Sequence, residues 1–417
     1  MDVHLPSLQL PFFTNLFLLL VLAKILGEIM ERFKQPAMIG EIIAGIILGP
    51  TILNFIQRTE DIQIISDIGV FLLVIIAGLE IDFDDIIKSI KGRNIFISIM
   101  AFFLPIVSGS LVAYCFGQDT MGTIFIGLCV AITALPVSIR ILMDLGKLNS
   151  TIGQKIISVA IFDDVLALTI LGFLLSLKGT DMTFISIANV SSISFLKLCA
   201  FIIFLIISYR FIRKVSKREN YFEFQLNKLL DVLKGKESLF AIFFVFILIF
   251  STITEMLGFH FIIGAFFASM FINKKLVGEQ HLKTFHNTTN GMAMGFLAPI
   301  FFTAIGLEFN FSAIHNYGLL IAVIVVSFIS KIAGGYFGGQ FAGLNKRVSL
   351  TIGIGLNARG IMELVIANIA YKSGLINQEI FSILVIMGLL TTLSTPFLLK
   401  RSFKYAEKDE NSIPSTH

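Results

Sequence analysis

The sequence consists mainly of apolar runs separated by short polar segments. A transmembrane helix needs about 20 predominantly apolar residues, and most of the runs approach that length. Charged residues make up only 14% of the chain, whereas about 25% is usual in soluble proteins. These features predict an all-α polytopic membrane protein with about 13 transmembrane helices. The thirteen runs lie near residues 11–31, 40–55, 63–79, 95–116, 124–142, 156–175, 194–212, 239–257, 259–272, 292–306, 319–342, 351–370 and 381–399.

The same pattern argues against several other classes of protein. The net charge of +4 comes from basic residues in short loops, which does not indicate a nucleic-acid-binding surface. The three cysteines lie within apolar runs and have neither a metal-ligand spacing nor the pattern of a disulfide framework. We predict no cofactor and no covalent chemistry, so the protein is not expected to be an enzyme.

Lysine and arginine are distributed unequally between the two sets of loops. The side opposite the C-terminus holds only Arg58, Lys178 and Lys372, whereas the loops on the C-terminal side hold nearly all the others. Cytoplasmic loops carry the excess of Lys and Arg. We therefore predict an N-terminus outside and a cytoplasmic C-terminus, in a bacterial inner or plasma membrane.

A short motif occurs twice in the chain. Residues 77–83 read AGLEIDF, and residues 305–311 read IGLEFNF, about 225 residues later. At that offset, runs one to six correspond to runs eight to thirteen. Seven crossings separate the starts of the two units, and because seven is odd the second unit is inverted. Inverted repeats are typical of secondary transporters, which bind their substrate near the midplane where the repeats meet.

The repeat predicts a single transmembrane domain over residues 1–417. Repeat one covers about residues 11–176, a linking helix lies near 190–215, and repeat two covers about 237–400. Residues 221–233 carry apolar side chains at helical spacing, which is typical of a helix lying on the membrane surface. The chain ends about 17 residues after the last predicted helix, so no C-terminal regulatory domain is expected.

Two adjacent acids, Asp163 and Asp164, lie near the middle of the sixth run. A charged side chain at mid-bilayer is costly, so the pair should face a polar cavity or a partner. Lys331 lies about halfway along the eleventh run, at the predicted depth of the acids, and is the expected positive partner. One lysine and two aspartates leave one acid to be neutralised by either a cation or a proton, which is the minimum that exchange requires.

Two corresponding runs carry helix-breaking residues. The fifth run contains Thr133 and Pro136, and a proline within a helix removes a hydrogen bond and clashes with the preceding turn. The twelfth run contains three glycines and Asn357, which can unwind a helix and free backbone groups. We predict one broken helix in each repeat, crossing at the midplane. Arg359 and Glu363, four residues apart beside the second break, can form a local ion pair that either tunes the site or only eases insertion.

These residues resemble the monovalent cation–proton antiporter superfamily, specifically its second family, which contains Kef-type and sodium–proton exchanger-like proteins. The resemblance extends over nearly all of the chain. It is carried by residues 35–50 (QPAMIGEIIAGIILGP), Gly78-Leu79-Glu80, residues 133–137 (TALPV), residues 162–167 (FDDVLA), Lys331 and Asn357-Ala358-Arg359-Gly360.

The resemblance implies a homodimer in the lipid bilayer, with a mobile core that holds the crossed broken helices and alternates in an elevator-like motion. It implies that Asp164 binds the transported cation and the proton, and that Asp163 pairs with Lys331. Many members carry an acidic or hydroxyl residue where this chain has Ala134 and Leu135. The resemblance therefore does not decide between Na⁺ and K⁺.

We interpret the sequence as that of an antiporter exchanging Na⁺ or K⁺ for H⁺. Burial favours the neutral form of a carboxyl group, so proton and cation are expected to compete for Asp164. The hydroxyl of Thr133 and freed carbonyls add the oxygen ligands that a hard cation prefers. Two alternatives share this fold: a sodium-coupled symporter of an organic solute, and a cation channel or sensor.

Overall fold

The computed structural model describes residues 11–57, 59–81, 93–148, 150–176, 196–197, 200–201, 203–212, 214, 228, 237–257 and 259–410. Within these ranges all regular secondary structure is helical. The α-helices are α1 (Phe12–Arg32), α2 (Ala37–Leu48), α3 (Glu60–Leu79), α4 (Asn94–Cys115), α5 (Thr120–Ala131), α6 (Leu135–Asp144), α7 (Thr151–Ser176), α8 (Ile203–Ile212), α9 (Ser238–Met256), α10 (Phe261–Phe271), α11 (Lys274–Val277), α12 (Glu279–Met292), α13 (Ala298–Glu308), α14 (Tyr317–Phe341), α15 (Lys346–Gly355), α16 (Ile361–Lys372) and α17 (Gln378–Glu410). A π-helical turn, Ala293–Leu297, connects α12 to α13.

Several helices in the described ranges are long and apolar enough to cross a membrane. There are eight: Phe12–Arg32, Glu60–Leu79, Ile95–Cys115, Thr151–Leu175, Ser238–Met256, Glu279–Glu308, Tyr317–Phe341 and Gln378–Ala406. Of the remaining predicted runs, two are interrupted and two form helices of 11 and 12 residues. The run at 194–212 is described only in part and includes helix at Ile203–Ile212. The predicted surface helix at 221–233 lies outside the described residues, apart from Lys228.

Polar side chains cap the start of helices that form the site. Asp119 accepts a hydrogen bond from Gly122 N at the start of α5 (3.1 Å). Asn316 accepts one from Leu319 N at the start of α14 (2.9 Å), and Asn345 accepts one from Arg347 N at the start of α15 (2.7 Å). Each cap satisfies a backbone donor that the first turn leaves without a helical partner.

Two helices extend beyond the predicted runs. The tenth run was expected to begin near 292, but helix begins at Glu279, where a Lys283–Glu279 ion pair (2.7 Å) joins adjacent turns. The last helix was expected to end near 399 but continues to Glu410, with Phe403 and Ala406 buried. Hydropathy measures preference for lipid, so it does not detect the polar end of a helix.

The chain forms two compact units. The first comprises Met1–Ser66, Asp85–Ala167 and Pro299–His417, and the second comprises Asp67–Asp84 and Leu168–Ala298. In the second unit, α9 packs on α10, and a Cβ at Gly264 would lie 2.5 Å from the carbonyl oxygen of Phe250. All the candidate site residues predicted from the sequence belong to the first unit.

Within the first unit, α14 packs closely against α4. A Cβ built at Gly334 would lie 2.6 Å from Met100 O, and one at Gly338 would lie 2.7 Å from Ile97 Cα. Only glycine allows the two backbones to approach this closely. The close packing brings Lys331, one turn before Gly334, against the backbone of α4.

Candidate ion-binding site

The first break separates α5 from α6. Ile132 and Ala134 have extended backbone conformations (ψ 141° and 116°) between Ala131, the last residue of α5, and Leu135, the first of α6. Pro136 lies in the first turn of α6, where a missing N–H costs no helical hydrogen bond. The proline therefore starts the second half-helix, and the break precedes it.

The second break separates α15 from α16. Residues 356–360 are non-helical between Gly355 and Ile361, the ends of the two half-helices. Gly360 has an extended conformation, and a Cβ there would lie 2.8 Å from Val137 Cγ2 and 2.9 Å from Ala134 Cβ. Glycine at this position allows the two breaks to touch.

Two close polar contacts join the breaks directly. Ala134 N donates to Ala358 O (2.8 Å). The Thr133 hydroxyl lies 3.1 Å from Leu356 O and 2.7 Å from Asp163 Oδ2. A hydroxyl has one proton, so it donates to one of these acceptors at a time. Thr133 is therefore the direct link between the second break and the acid pair.

The acid pair lies in α7, and both Asp163 and Asp164 are fully buried. Asp163 Oδ2 lies 2.8 Å from Lys331 Nζ, which is also fully buried. The charge of Asp164 acts on Lys331 as well. The structure thus brings together the four residues that the sequence predicted at the centre of the site.

The ammonium group of Lys331 has three acceptors. Besides Asp163 Oδ2, Nζ donates to Ala101 O in α4 (3.0 Å) and to Ala131 O at the end of α5. A neutral amine has only two N–H bonds, whereas the ammonium has three donors. The three acceptors therefore match the three donors of an ammonium group.

Arg359 binds the same end of α5. Its guanidinium donates to Cys129 O and to Val130 O (2.6 Å for Val130). Together with Lys331, it supplies donors to the last three carbonyls of α5. These carbonyls have no helical partner and carry the negative end of the helix dipole. Two buried cations therefore neutralise the end that the break exposes.

Glu363 lies in the first turn of α16, one turn from Arg359. Its Oε2 is 3.8 Å from Arg359 NH1, and both side chains are fully buried. An acid in a first turn interacts favourably with the positive end of a helix dipole. Through this pair, Arg359 of the second break contacts the end of α5 on one side and Glu363 of α16 on the other.

The buried charges of this cluster do not balance. Asp163, Asp164 and Glu363 are carboxylates, whereas Lys331 and Arg359 are the two cations, and all five side chains are fully buried. When every group is ionised, one negative charge remains. Burying a net charge is costly, so the cluster favours the uptake of one positive charge.

Sequence reasoning missed some of these contacts. The acceptors Ala101 O, Cys129 O and Val130 O are backbone groups, which no residue type reveals. The one available signal was the presence of Arg359 in a broken apolar run, because a buried cation beside a half-helix end needs acceptors.

Comparison with known proteins identifies the family. Residues 17–403 match the family described as sodium/hydrogen exchanger, transmembrane. The chain is 28% identical over 402 residues to the Na⁺/H⁺-K⁺ antiporter GerN of Bacillus cereus, covering 96% of this chain and 98% of that protein. It is 30% identical over 393 residues to the probable Na⁺/H⁺ antiporter GerT of the same organism, covering 94% and 99%.

A solved structure has the same fold. The sodium proton antiporter MjNhaP1 of Methanocaldococcus jannaschii matches with a TM-score of 0.67 at 15% identity, over 94% of this chain and 96% of that one. The family match and the structural match each cover nearly the whole chain. The chain belongs to the transmembrane sodium/hydrogen exchanger family, within the cation–proton antiporter superfamily.

Proposed function

We propose that the protein is a secondary antiporter that exchanges Na⁺ or K⁺ for H⁺ across the membrane. The observation that carries this proposal is the buried cluster at the two breaks, in which three carboxylates face two cations. One excess negative charge can be neutralised by one cation or by one proton. Membership of the exchanger family and the activities for which GerN and GerT are named support the same exchange.

In the proposed mechanism, Asp164 is the carboxylate that alternates between cation and proton. Asp163 is hydrogen-bonded to Lys331 and Thr133, so its proposed role is to be the counter-ion of the lysine. The Thr133 hydroxyl, which contacts both Asp163 and the carbonyl of Leu356, and that carbonyl are the further oxygen ligands that we propose. A hard monovalent cation prefers such oxygen ligands, and no covalent step is needed.

The proposed architecture consists of thirteen crossings in two inverted six-helix repeats, about 11–176 and 237–400, with a linking helix near 190–215, in one transmembrane domain. The two breaks support this arrangement because they fall in corresponding runs of the two repeats. We also propose a homodimer, with the N-terminus outside and the C-terminus in the cytoplasm of a bacterial cell.

Cysteine labelling tests the orientation. In a variant without Cys115, Cys129 and Cys199, Lys372→Cys should react with an impermeant thiol reagent added outside, because Lys372 follows the predicted outward face. Ser216→Cys and Ser412→Cys, both outside the described residues, should be protected. Labelling of the latter two from outside would reverse the proposed orientation.

Flux in proteoliposomes tests the exchange itself. With an outward proton gradient, Na⁺, K⁺ and Li⁺ are added separately and proton movement is followed with a pH-sensitive dye. We expect proton movement with Na⁺ or K⁺, and an apparent cation affinity that falls as pH falls, by up to about tenfold per pH unit, because the ligand must be deprotonated. Conductance without proton coupling would identify a channel, and uptake of an organic solute without cation exchange would identify a symporter.

Asp164→Asn is the matched control for this experiment. It removes one charge while nearly preserving the size of the side chain, so the protein should still be made and inserted. Exchange should vanish, because the cluster is then already neutral. Robust exchange by this variant, or a cation affinity that does not change with pH, would contradict a shared site at Asp164.

A further inference from the structure

Asn357 is the residue of the second break whose side chain the site geometry does not yet explain. It is fully buried, and neither its Oδ1 nor its Nδ2 has a hydrogen-bond partner within the described part of the chain. Leaving a buried amide without partners destabilises a fold. A buried amide without a protein partner can be satisfied by water or by a bound ligand.

The backbone on both sides of Asn357 is already held. Its own N–H donates to Ile354 O (3.2 Å), Leu356 O faces the Thr133 hydroxyl (3.1 Å), and Ala358 O accepts from Ala134 N (2.8 Å). The backbone around Asn357 is therefore held by hydrogen bonds, whereas the side-chain amide has no partner within the described residues.

The position of Asn357 links it to the acids. Thr133 contacts Asp163 Oδ2 and Leu356 O with one hydroxyl, so a single side chain connects the acid pair to the residue before Asn357. An amide oxygen is a neutral, hard ligand of the kind that alkali cations accept. An oxygen without charge adds affinity for a metal ion without adding a second site for a proton.

We propose that Asn357 Oδ1 is a direct ligand of the transported cation, and that it distinguishes the cation from the proton at Asp164. This proposal rests on the proposed antiport. Asp164 accepts either substrate, whereas Asn357 contributes only to the cation-bound state. Asn357 therefore sets the affinity for the cation and leaves proton binding unchanged.

Replacement by leucine separates this role from a packing role. Asn357→Leu preserves the size of the side chain and removes both polar atoms. Since an unpartnered buried amide is replaced by an apolar group, the heat stability of the cation-free protein should be equal or higher. The half-saturating cation concentration should nevertheless rise about tenfold or more, as expected for loss of a contact with a charged group.

The measurement is the heat stability of the purified full-length protein in detergent, titrated with NaCl or KCl against choline chloride at constant ionic strength. Stabilisation by a ligand of the folded state reports affinity without requiring transport. Asn357→Asp retains an oxygen at this position and should bind the cation at least as tightly as the wild type at alkaline pH. Asn368→Leu, a buried asparagine further along α16, is the matched control and should leave the cation titration unchanged.

The outcomes separate the two proposals. The ligand role of Asn357 is supported if cations stabilise the wild type and Asn357→Asp but no longer stabilise Asn357→Leu. Equal cation titrations for wild type and Asn357→Leu would overturn it while leaving the antiport intact. If Asn357→Leu cannot be purified, weaker cation binding by Asn357→Asp than by wild type overturns the ligand role. Absence of both flux and cation stabilisation in the wild type would instead refute the antiport itself.

Discussion

Lys331 Nζ lies 2.8 Å from Asp163 Oδ2, and both side chains are completely shielded from solvent. Removal of either partner leaves a charge buried without its counter-ion, which typically costs about 3–5 kcal/mol. Removing one charge of the pair should therefore lower the stability of the fold, whereas removing both charges should restore much of it.

We expect Lys331→Ala to lower the heat stability of the purified protein substantially, because Asp163 then remains as an unpaired carboxylate. Asp163→Asn in the same chain should restore much of that loss. Unfolding is followed by size-exclusion chromatography after heating, for the wild type, both single variants and the double variant. A double variant less stable than either single one contradicts a direct pairing.

Arg359→Gln should also destabilise the protein, because Cys129 O and Val130 O lose charged donors at the end of α5. Arg359→Lys should recover only part of the stability, since one ammonium cannot reproduce the forked geometry of a guanidinium. Arg140→Gln is the control, because the Arg140–Glu31 pair is exposed (51% and 41%) and such pairs contribute about 1 kcal/mol or less. Equal losses for the two positions would argue against a role of Arg359 at the break.

Gly360→Ala should separate the two breaks, because its Cβ would lie within 2.9 Å of side-chain atoms of Ala134 and Val137. We expect reduced exchange in proteoliposomes together with lower heat stability. Gly291→Ala in α12, where no atom lies within 4 Å of the added Cβ, should be neutral or slightly stabilising, since alanine is the better helix former. Normal exchange by Gly360→Ala would mean that contact between the breaks is dispensable.

The sequence was most informative about the helices that are apolar along their whole length. Runs near 11–31, 95–116 and 319–342 agree with α1, α4 and α14 to within a few residues. Polar extensions such as Glu279–Met292 were missed, since they do not partition into lipid and hydropathy was the only guide.

The site was predictable to the extent that it depends on residue type. A carboxylate pair and a lysine in apolar runs are so costly that they must meet polar partners, and the structure places Lys331 against Asp163. The backbone acceptors of Lys331 and Arg359 were not predictable, because every residue has a carbonyl and only the fold decides which ones lie without a helical partner. The location of the first break was predicted only approximately, since Pro136 lies in the first turn of α6 and the extended residues precede that helix.

The three acceptors around Lys331 have an electrical consequence. In the proposed exchange, Lys331 keeps its proton because all three of its donors have acceptors, and Arg359 likewise remains charged. Under this proposal only the excess negative charge of the cluster is exchangeable, so we expect one cation to leave for each proton that enters. Transport of this kind neither produces nor responds to a membrane potential. Initial rates of Na⁺-driven proton movement should therefore be the same at zero potential and at an imposed potential of either sign, and a rate that follows the imposed potential would show that Lys331 or a second proton takes part.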